Sequence, residues 1–365
     1  MKSNIRGTPL GAVSASQTIT SLVLLCSCLT AFGQYTTLTL PKGYVQVEGD
    51  IITTEDKAAQ LLADRQGLQV RHPNFAFVPS RLWPNRVVPF EFDAGVTAPD
   101  RSVFLTAMKW WSNSFPGVVT INFRLRTTEP GFLRLVVANP GFVGGSTDYV
   151  GYSGGTVTIT VHSNAVNAGL IAHELGHALG LWHEQSRNDR DAFVTVNYAV
   201  ILSGDSSQFD KDSPQSTFGN YDYDSIMHYG ACAFSVFTNS CECLDETRRT
   251  ITTAFPEQQC KIGQRGRLSA MDKRSMAFMY GPPDWKFLHA KTGSSGDGSF
   301  QQPFQILAPA AALPPNSTLW LGAGTLPAAG VTISTPMTLR AAIPDLQLQA
   351  DGSLGPSPSG YATLQ

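Results

Sequence analysis

His173-Glu174-Leu175-Gly176-His177-Ala178-Leu179-Gly180-Leu181-Trp182-His183-Glu184 is the stretch on which the reading of this chain turns. Two histidines four apart on a helix project from one face, so His173 and His177 can grip a single metal ion. Glu174 lies about a hundred degrees further round the axis. It misses direct ligation but can reach a water on the metal, which is the place for a general base. His183 follows His177 by six residues, roughly 240 degrees round an unbroken helix and facing away. It becomes a third ligand only if the helix stops first. Gly180 supplies the stop, because glycine takes left-handed backbone at little cost. A lone His-x-x-x-His is common on surfaces and in cores; the glutamate, the glycine and the third histidine set this one apart.

Through this stretch the chain resembles the metzincin zinc peptidases. Glu184, continuing into Gln185-Ser186-Arg187-Asn188-Asp189-Arg190-Asp191, is similar to the astacin family among them. Tyr223-Asp224-Ser225-Ile226-Met227-His228-Tyr229 resembles the astacin Met-turn. The resemblance implies an α+β, zincin-like catalytic fold of two subdomains, with a twisted mixed sheet and an active-site helix. It implies one Zn²⁺ held by His173, His177 and His183, and peptide-bond hydrolysis with Glu174 as base. It also implies that Met227 underlies the metal and that Tyr229 is a fifth, displaceable ligand that donates to the oxyanion. Glu184 would contact the N-terminus freed by processing. Read without the family, Met227 is a core filler and Tyr229 a strand aromatic.

Charged residues are 15% of the 365, against about 25% in an average soluble protein, and the formal net charge is −2. Nucleic acid and acidic lipid are therefore not expected as main partners. Lys2 and Arg6, the apolar run 21–29 and Ala31-Phe32-Gly33 read as an export signal over residues 1–33. The protein is expected to be secreted or on the cell surface. The apolar run is too short for a normal membrane span; a signal anchor or a lipid-anchored start at Cys28 are the alternatives. Outside the signal, Cys232, Cys241, Cys243 and Cys260 read as disulfides, and four cysteines allow three pairings. A Cys241–Cys243 bond would be strained, so each is expected to pair with one of the outer two. A second zinc site is the rival, but no Cys-x-x-Cys pair is present. Ser146 and Ala165 stand where the family places one disulfide, and no cysteine lies near Tyr280 for the other.

Residues 34–79 read as a pro-segment with one short helix over 57–62. Val47-Glu48-Gly49-Asp50-Ile51 is similar to the astacin inhibitory phrase, which implies that Asp50 ligates zinc in the zymogen only. Read alone, it is an ordinary turn. Arg65, Arg71 and Arg81 offer processing sites. The peptidase domain is expected over 80–282, with strands at 87–92, 120–125, 132–137 and 156–161. Helices are expected at 100–115, burying Val103, Ala107, Trp110 and Trp111, and at 268–280. The threonine-faced strand 156–161 is expected to pair with an extended substrate, as a metzincin strand near this place does. Residues 283–365, rich in Gly, Pro and Ala, form a short β-rich tail resembling the first coils of a right-handed parallel β-helix. Partners are therefore a protein or peptide substrate and, through the tail, a surface or polysaccharide. The rival to an exported endopeptidase zymogen is a polysaccharide-binding surface protein whose zinc domain is inactive or structural. Intact Glu174 argues against it, because a structural site needs no base beside its ligand.

Overall fold

A computed structural model describes residues 40, 42–67, 81–112, 121–139, 144–211, 221–237 and 240–280, with short pieces between 285 and 364. The signal at 1–33 and Arg71 lie outside the described residues. No helix among the described residues is long and apolar enough to cross a membrane.

Seven strands make one mixed sheet: β1 (Tyr44–Glu48), β2 (Ile51–Thr54), β3 (Val87–Phe92), β4 (Asn122–Leu125), β5 (Phe132–Ala138), β6 (Gly145–Thr147) and β7 (Thr156–His162). Their order is β1-β2-β6-β7-β5-β3-β4. β4, β3, β5 and β7 run parallel, and β6 returns antiparallel to β7. Alternation in β7 buries Val157, Ile159 and Val161 and leaves its threonines half-buried. β7 is not the strand open to a substrate. It is enclosed by β5 and β6, and β6 is the strand that β2 joins in parallel, pairing Ile51 with Thr147. Three residues beginning with glycine give β6 no periodic signal, which is why the sequence pointed one strand too far inward.

Behind the sheet, α2 (Ala98–Ser112) packs on α3 (Ala168–Ala178), the helix of the histidines. α2 buries Phe104, Ala107, Met108 and Trp111. Trp110 and Val103, expected inside, are only partly buried. The Trp111 indole N–H donates to the Ala172 carbonyl at 2.8 Å, which fixes the inward direction. Trp110, about 100° round the axis, then falls at the margin. Ahead of β3, the expected short helix is α1 (Glu55–Gly67), and a β1–β2 hairpin precedes it. These elements draw their order from tertiary contacts: Ile51 and Leu61 are buried, and Lys57 Nζ reaches Asp148 at 2.8 Å.

Below the sheet the chain is mostly turns, with β8 (Val194–Val196) paired to β9 (Ile251–Thr253). The open choice among cysteines resolves as Cys232–Cys241 and Cys243–Cys260. A second core of Val194, Phe209, Tyr221, Tyr229, Phe234 and Ile251 is distinct from the larger one that contains α2 and α3. These two cores are the two halves of the catalytic fold. α4 (Ala270–Met279) starts with a capping box between Ser269 and Asp272. Asp272 also accepts from Ser225 Oγ at 2.7 Å and Ile226 N at 2.9 Å, so the helix holds the turn that runs beneath the histidines.

In the tail, β10 (Trp285–Leu288), β11 (Thr318–Leu321) and β13 (Thr338–Ala341) form a parallel ladder, and β12 (Gly324–Leu326) pairs in parallel with β14 (Ala362–Leu364). Residues 331 and 333, expected in a coil, lie outside the described residues.

His228 is wholly buried between the two cores. Its Nδ1 lies 2.7 Å from the Tyr229 carbonyl, so the ring proton is there, and Nε2 accepts from the Tyr221 hydroxyl at 2.6 Å. Burial is the main cause of a pKa lowered from 6.5 to about 3. The unfolded chain therefore takes up this proton before the folded one does. The stability contributed is full above about 6.5 and is lost as pH falls toward 3, by up to about 1.4 kcal/mol per pH unit. Urea unfolding between pH 7 and pH 4 should show a shallower loss in His228→Gln than in the unaltered protein; equal slopes would remove His228 from the acid response.

Candidate metal centre

Asn167 caps α3, its side chain accepting from Leu170 N at 2.8 Å. The helix ends after Ala178, Gly180 takes φ +110°, and its N–H bonds back to the His177 carbonyl at 2.8 Å. That reversal turns the chain so that His183 comes back over the helix end. A Cβ at Gly180 would stand 3.1 Å from Met279 Cε as well as forcing that backbone.

Two of the three rings are fixed from behind by carbonyls. His173 Nδ1 lies 2.7 Å from the Ile226 carbonyl and His177 Nδ1 2.8 Å from the Leu181 carbonyl. A carbonyl can only accept, so each ring carries its proton on Nδ1 and offers a bare Nε2. The Nε2 atom of His183 is 3.3 Å from that of His173 and 3.3 Å from that of His177. A tetrahedron built on zinc–nitrogen bonds of about 2.0–2.1 Å has edges of about 3.3–3.4 Å. The donor set therefore fits zinc. Asp50 stands at the remaining corner, with its oxygens 2.8 Å from His173, 3.1 Å from His183 and 3.2 Å from His177. Asp50, His173, His177 and His183 form the one metal-competent group among the described residues.

Electrostatics lead to the same conclusion. Burial lowers the His173 pKa to about 3. Burial also acts to lower that of His183, but the Asp50 and Glu48 carboxylates outweigh it and push His183 up to about 9. The chain by itself answers its excess negative charge by protonating His183. A divalent cation answers it without that proton.

Glu174 is fully buried beside the histidines. Oε2 accepts from the Thr147 hydroxyl at 2.7 Å, while Oε1 has no hydrogen-bond partner among the described residues. Burial, then the Asp50 charge, raise its pKa well above the usual range. Met227 lies under Gly176 of α3, where a side chain on the glycine would collide with its sulfur. The Tyr229 ring packs 4.4 Å from the His183 ring, centroid to centroid. Glu184 accepts from Arg187 Nη1 at 3.0 Å and Asp222 N at 2.8 Å, and burial raises its pKa to about 7.

Glu48 was overlooked in the sequence. This buried carboxylate, at the same hairpin tip as Asp50, accepts from the Ser186 hydroxyl and lies 3.5 Å from His183 Nδ1. Between the two carboxylates Gly49, at φ +49°, lies so close to the Tyr229 hydroxyl that any side chain would strike it. Glu48 stands in the quoted phrase, but nothing local distinguished it from a solvated turn residue.

A mixed sheet with one antiparallel strand, an active-site helix broken by glycine, and three converging histidines over a methionine turn define the metzincin class. A family model of the astacins (peptidase family M12A) matches residues 76–281. Zinc metalloproteinase nas-36 of Haemonchus contortus is 32% identical over 240 residues, covering 62% of this chain and 36% of that protein. Bone morphogenetic protein 1 of Xenopus laevis is 31% identical over 233 residues, covering 62% of this chain and 30% of that one. Among solved structures, high choriolytic enzyme 1, a hatching enzyme zinc-protease from Oryzias latipes, aligns with a TM-score of 0.46 at 30% identity, over 55% of this chain and 94% of that chain. This chain belongs to the astacin family. It spans about a third of the length of the two relatives.

Gly180→Ala should destabilise the fold by about 1–2 kcal/mol, the scale of a non-glycine residue held at such a φ. An unchanged urea midpoint would mean that the positive φ is not needed to return His183.

Proposed function

We propose that this chain is an exported zinc endopeptidase made in latent form. The observation that carries the reading is the convergence of three Nε2 atoms beside the buried Glu174 carboxylate. His173, His177 and His183 would hold the metal. Zinc supplies Lewis acidity, polarising a peptide carbonyl and lowering the pKa of a water to about 7. Glu174 takes the water's proton on Oε1 and passes it to the leaving nitrogen. The Tyr229 hydroxyl donates to the oxyanion. A peptide is the substrate favoured by β6, which already takes an extended main chain: Thr147 N–H donates to the Asp50 carbonyl at 2.9 Å. A surface-binding protein with a structural metal is disfavoured, since a buried carboxylate oxygen without a partner is costly unless it works.

Latency rests on the β1–β2 hairpin. Asp50 holds the corner that substrate and water need, and Glu48 and Gly49 bind Ser186, His183 and Gln208 around it. Cutting between Arg65 and Arg81 would release the hairpin. Arg81 is tied to the peptidase domain: its carbonyl accepts from Tyr152 N at 2.5 Å and its guanidinium lies 5.4 Å over the Tyr149 ring. Glu184 borders a cavity of about 20 Å³, lined also by Arg187, Asp222 and Asp272, which we assign to the freed N-terminus. Two disulfides support an oxidising, external compartment. The parallel ladders of the tail support a stacked β-coil over 283–365, beyond a pro-segment at 34–79 and a peptidase domain at 80–282.

Processed protein should digest casein, and a chelator should stop it. Glu174→Gln should keep one zinc by metal analysis and lose nearly all turnover, whereas His183→Ala should lose zinc. Zinc lost from Glu174→Gln would put the base among the ligands and sink its assigned role.

Unprocessed protein should be nearly inactive, and Asp50→Ala in the uncut chain should be partly active, because β2 still lies along β6. Equal activity of cut and uncut wild type would defeat the zymogen reading.

A further inference from the structure

We propose that Thr147 is the positioning residue for the base: its hydroxyl pins Oε2 of Glu174, so that Oε1 is the oxygen turned to the metal site. The inference rests on the peptidase reading and deepens it. Side chains alternate along a strand, so Gly145 and Thr147 share one face of β6 and Ser146 takes the other. The first two are buried and Ser146 is half-buried. Their face meets α3. Thr147 is fully buried, with Oγ1 2.7 Å from Glu174 Oε2 and 3.1 Å from the Glu174 carbonyl oxygen. A hydroxyl has one proton to give. The nearer acceptor, Oε2, takes it.

Gly145 completes the slot. A Cβ there would stand 2.9 Å from Glu174 Oε1 and 3.0 Å from Cγ, so the strand leaves space on one side of the carboxylate and a donor on the other. The last torsion of a glutamate is broad and two-fold. Without an anchor the carboxylate turns among the buried histidines, and a general base works only within hydrogen-bond reach of its proton. The main chain of Thr147 faces the other way, its N–H bonded to the strand laid along β6. One residue thus registers the extended chain on its outer edge and the base on its inner face.

The test uses processed, zinc-loaded protein with Thr147→Val, which keeps shape and removes the hydroxyl, and Thr147→Ser, which keeps the hydroxyl. The valine variant should retain one zinc and lose about ten- to a hundredfold in kcat, the scale of a hydrogen bond to a charged group. KM should stay within about twofold, because the contact acts on the chemical step. Serine should stay within about threefold of wild type in kcat. A second measurement needs no turnover: the Kd of a peptide hydroxamate, a zinc chelator whose N–OH proton is shared with a neighbouring carboxylate. It should rise about tenfold in the valine variant and not in serine. If valine fails to fold, Thr147→Ala takes its place with the same expectations. Wild-type kcat and hydroxamate affinity in the valine or alanine variant would overturn the proposal, as would a serine variant equally impaired. Failure of wild type to cleave peptide would defeat the peptidase reading, and the hydroxamate series would still decide the role of Thr147.

Discussion

Three imidazole Nε2 atoms brought to one point repel one another unless a proton or a cation lies among them, and here their separations are as small as 3.3 Å. The rest of the structure is arranged to hold that cluster. α3 supplies two of the rings, but a helix alone would let them swing. The Ile226 and Leu181 carbonyls stop this by taking the Nδ1 protons. Ile226 belongs to a turn whose own N–H and Ser225 hydroxyl bind Asp272, and Asp272 is also half of the α4 capping box. The ring orientation at the metal is thus traceable to a helix start nearly a hundred residues downstream. Replacing one of these supports alters the lone-pair direction before it alters the fold.

Much of this was legible because it is local. The four-residue spacing, the adjacent glutamate and the glycine before His183 are geometry that a helix imposes on neighbouring residues. The two-core, mixed-sheet fold followed from the family resemblance and its strand pattern. What stayed hidden is non-local. β6 is too short for periodicity, so β7 was assigned the substrate-pairing role proposed here for β6. Glu48 meets Ser186 across 138 residues, and the Thr147–Glu174 pair spans 27. The hairpin carries no amphipathic rhythm of its own, since β6 completes its hydrogen bonding and the histidines complete its charge.

The cysteines illustrate the same division. Their chemistry could be read from their number and clustering, and the Cys241–Cys243 constraint left only crossed or sequential pairings. Which of these forms depends on where the chain between 244 and 259 goes. There, Thr253 N bonds to Gln259 Oε1 and the Gln259 amide returns to the Ile251 carbonyl, folding that loop on itself before Cys260. The disulfides therefore brace the lower core alone. The upper half is held instead by tryptophan N–H groups on helix carbonyls, Trp83 to Ala178 at 2.7 Å and Trp111 to Ala172 at 2.8 Å.

On the latent-form reading proposed above, charge balance governs how firmly the hairpin plugs the site. Its tip carries Glu48 and Asp50 into a pocket that already contains Glu174, so three carboxylates share one buried site. Only positive charge among the histidines, from a proton or a cation, makes that arrangement tolerable. The rest of the hold includes main-chain pairing with β6, Glu48 on Ser186, Gly49 on Gln208 and Lys57 on Asp148. Once the covalent link to β3 is cut, that hold is no longer intramolecular, and its effective concentration falls to that of the free segment. On the latent-form reading proposed above, cutting that link would therefore be enough to let the segment leave.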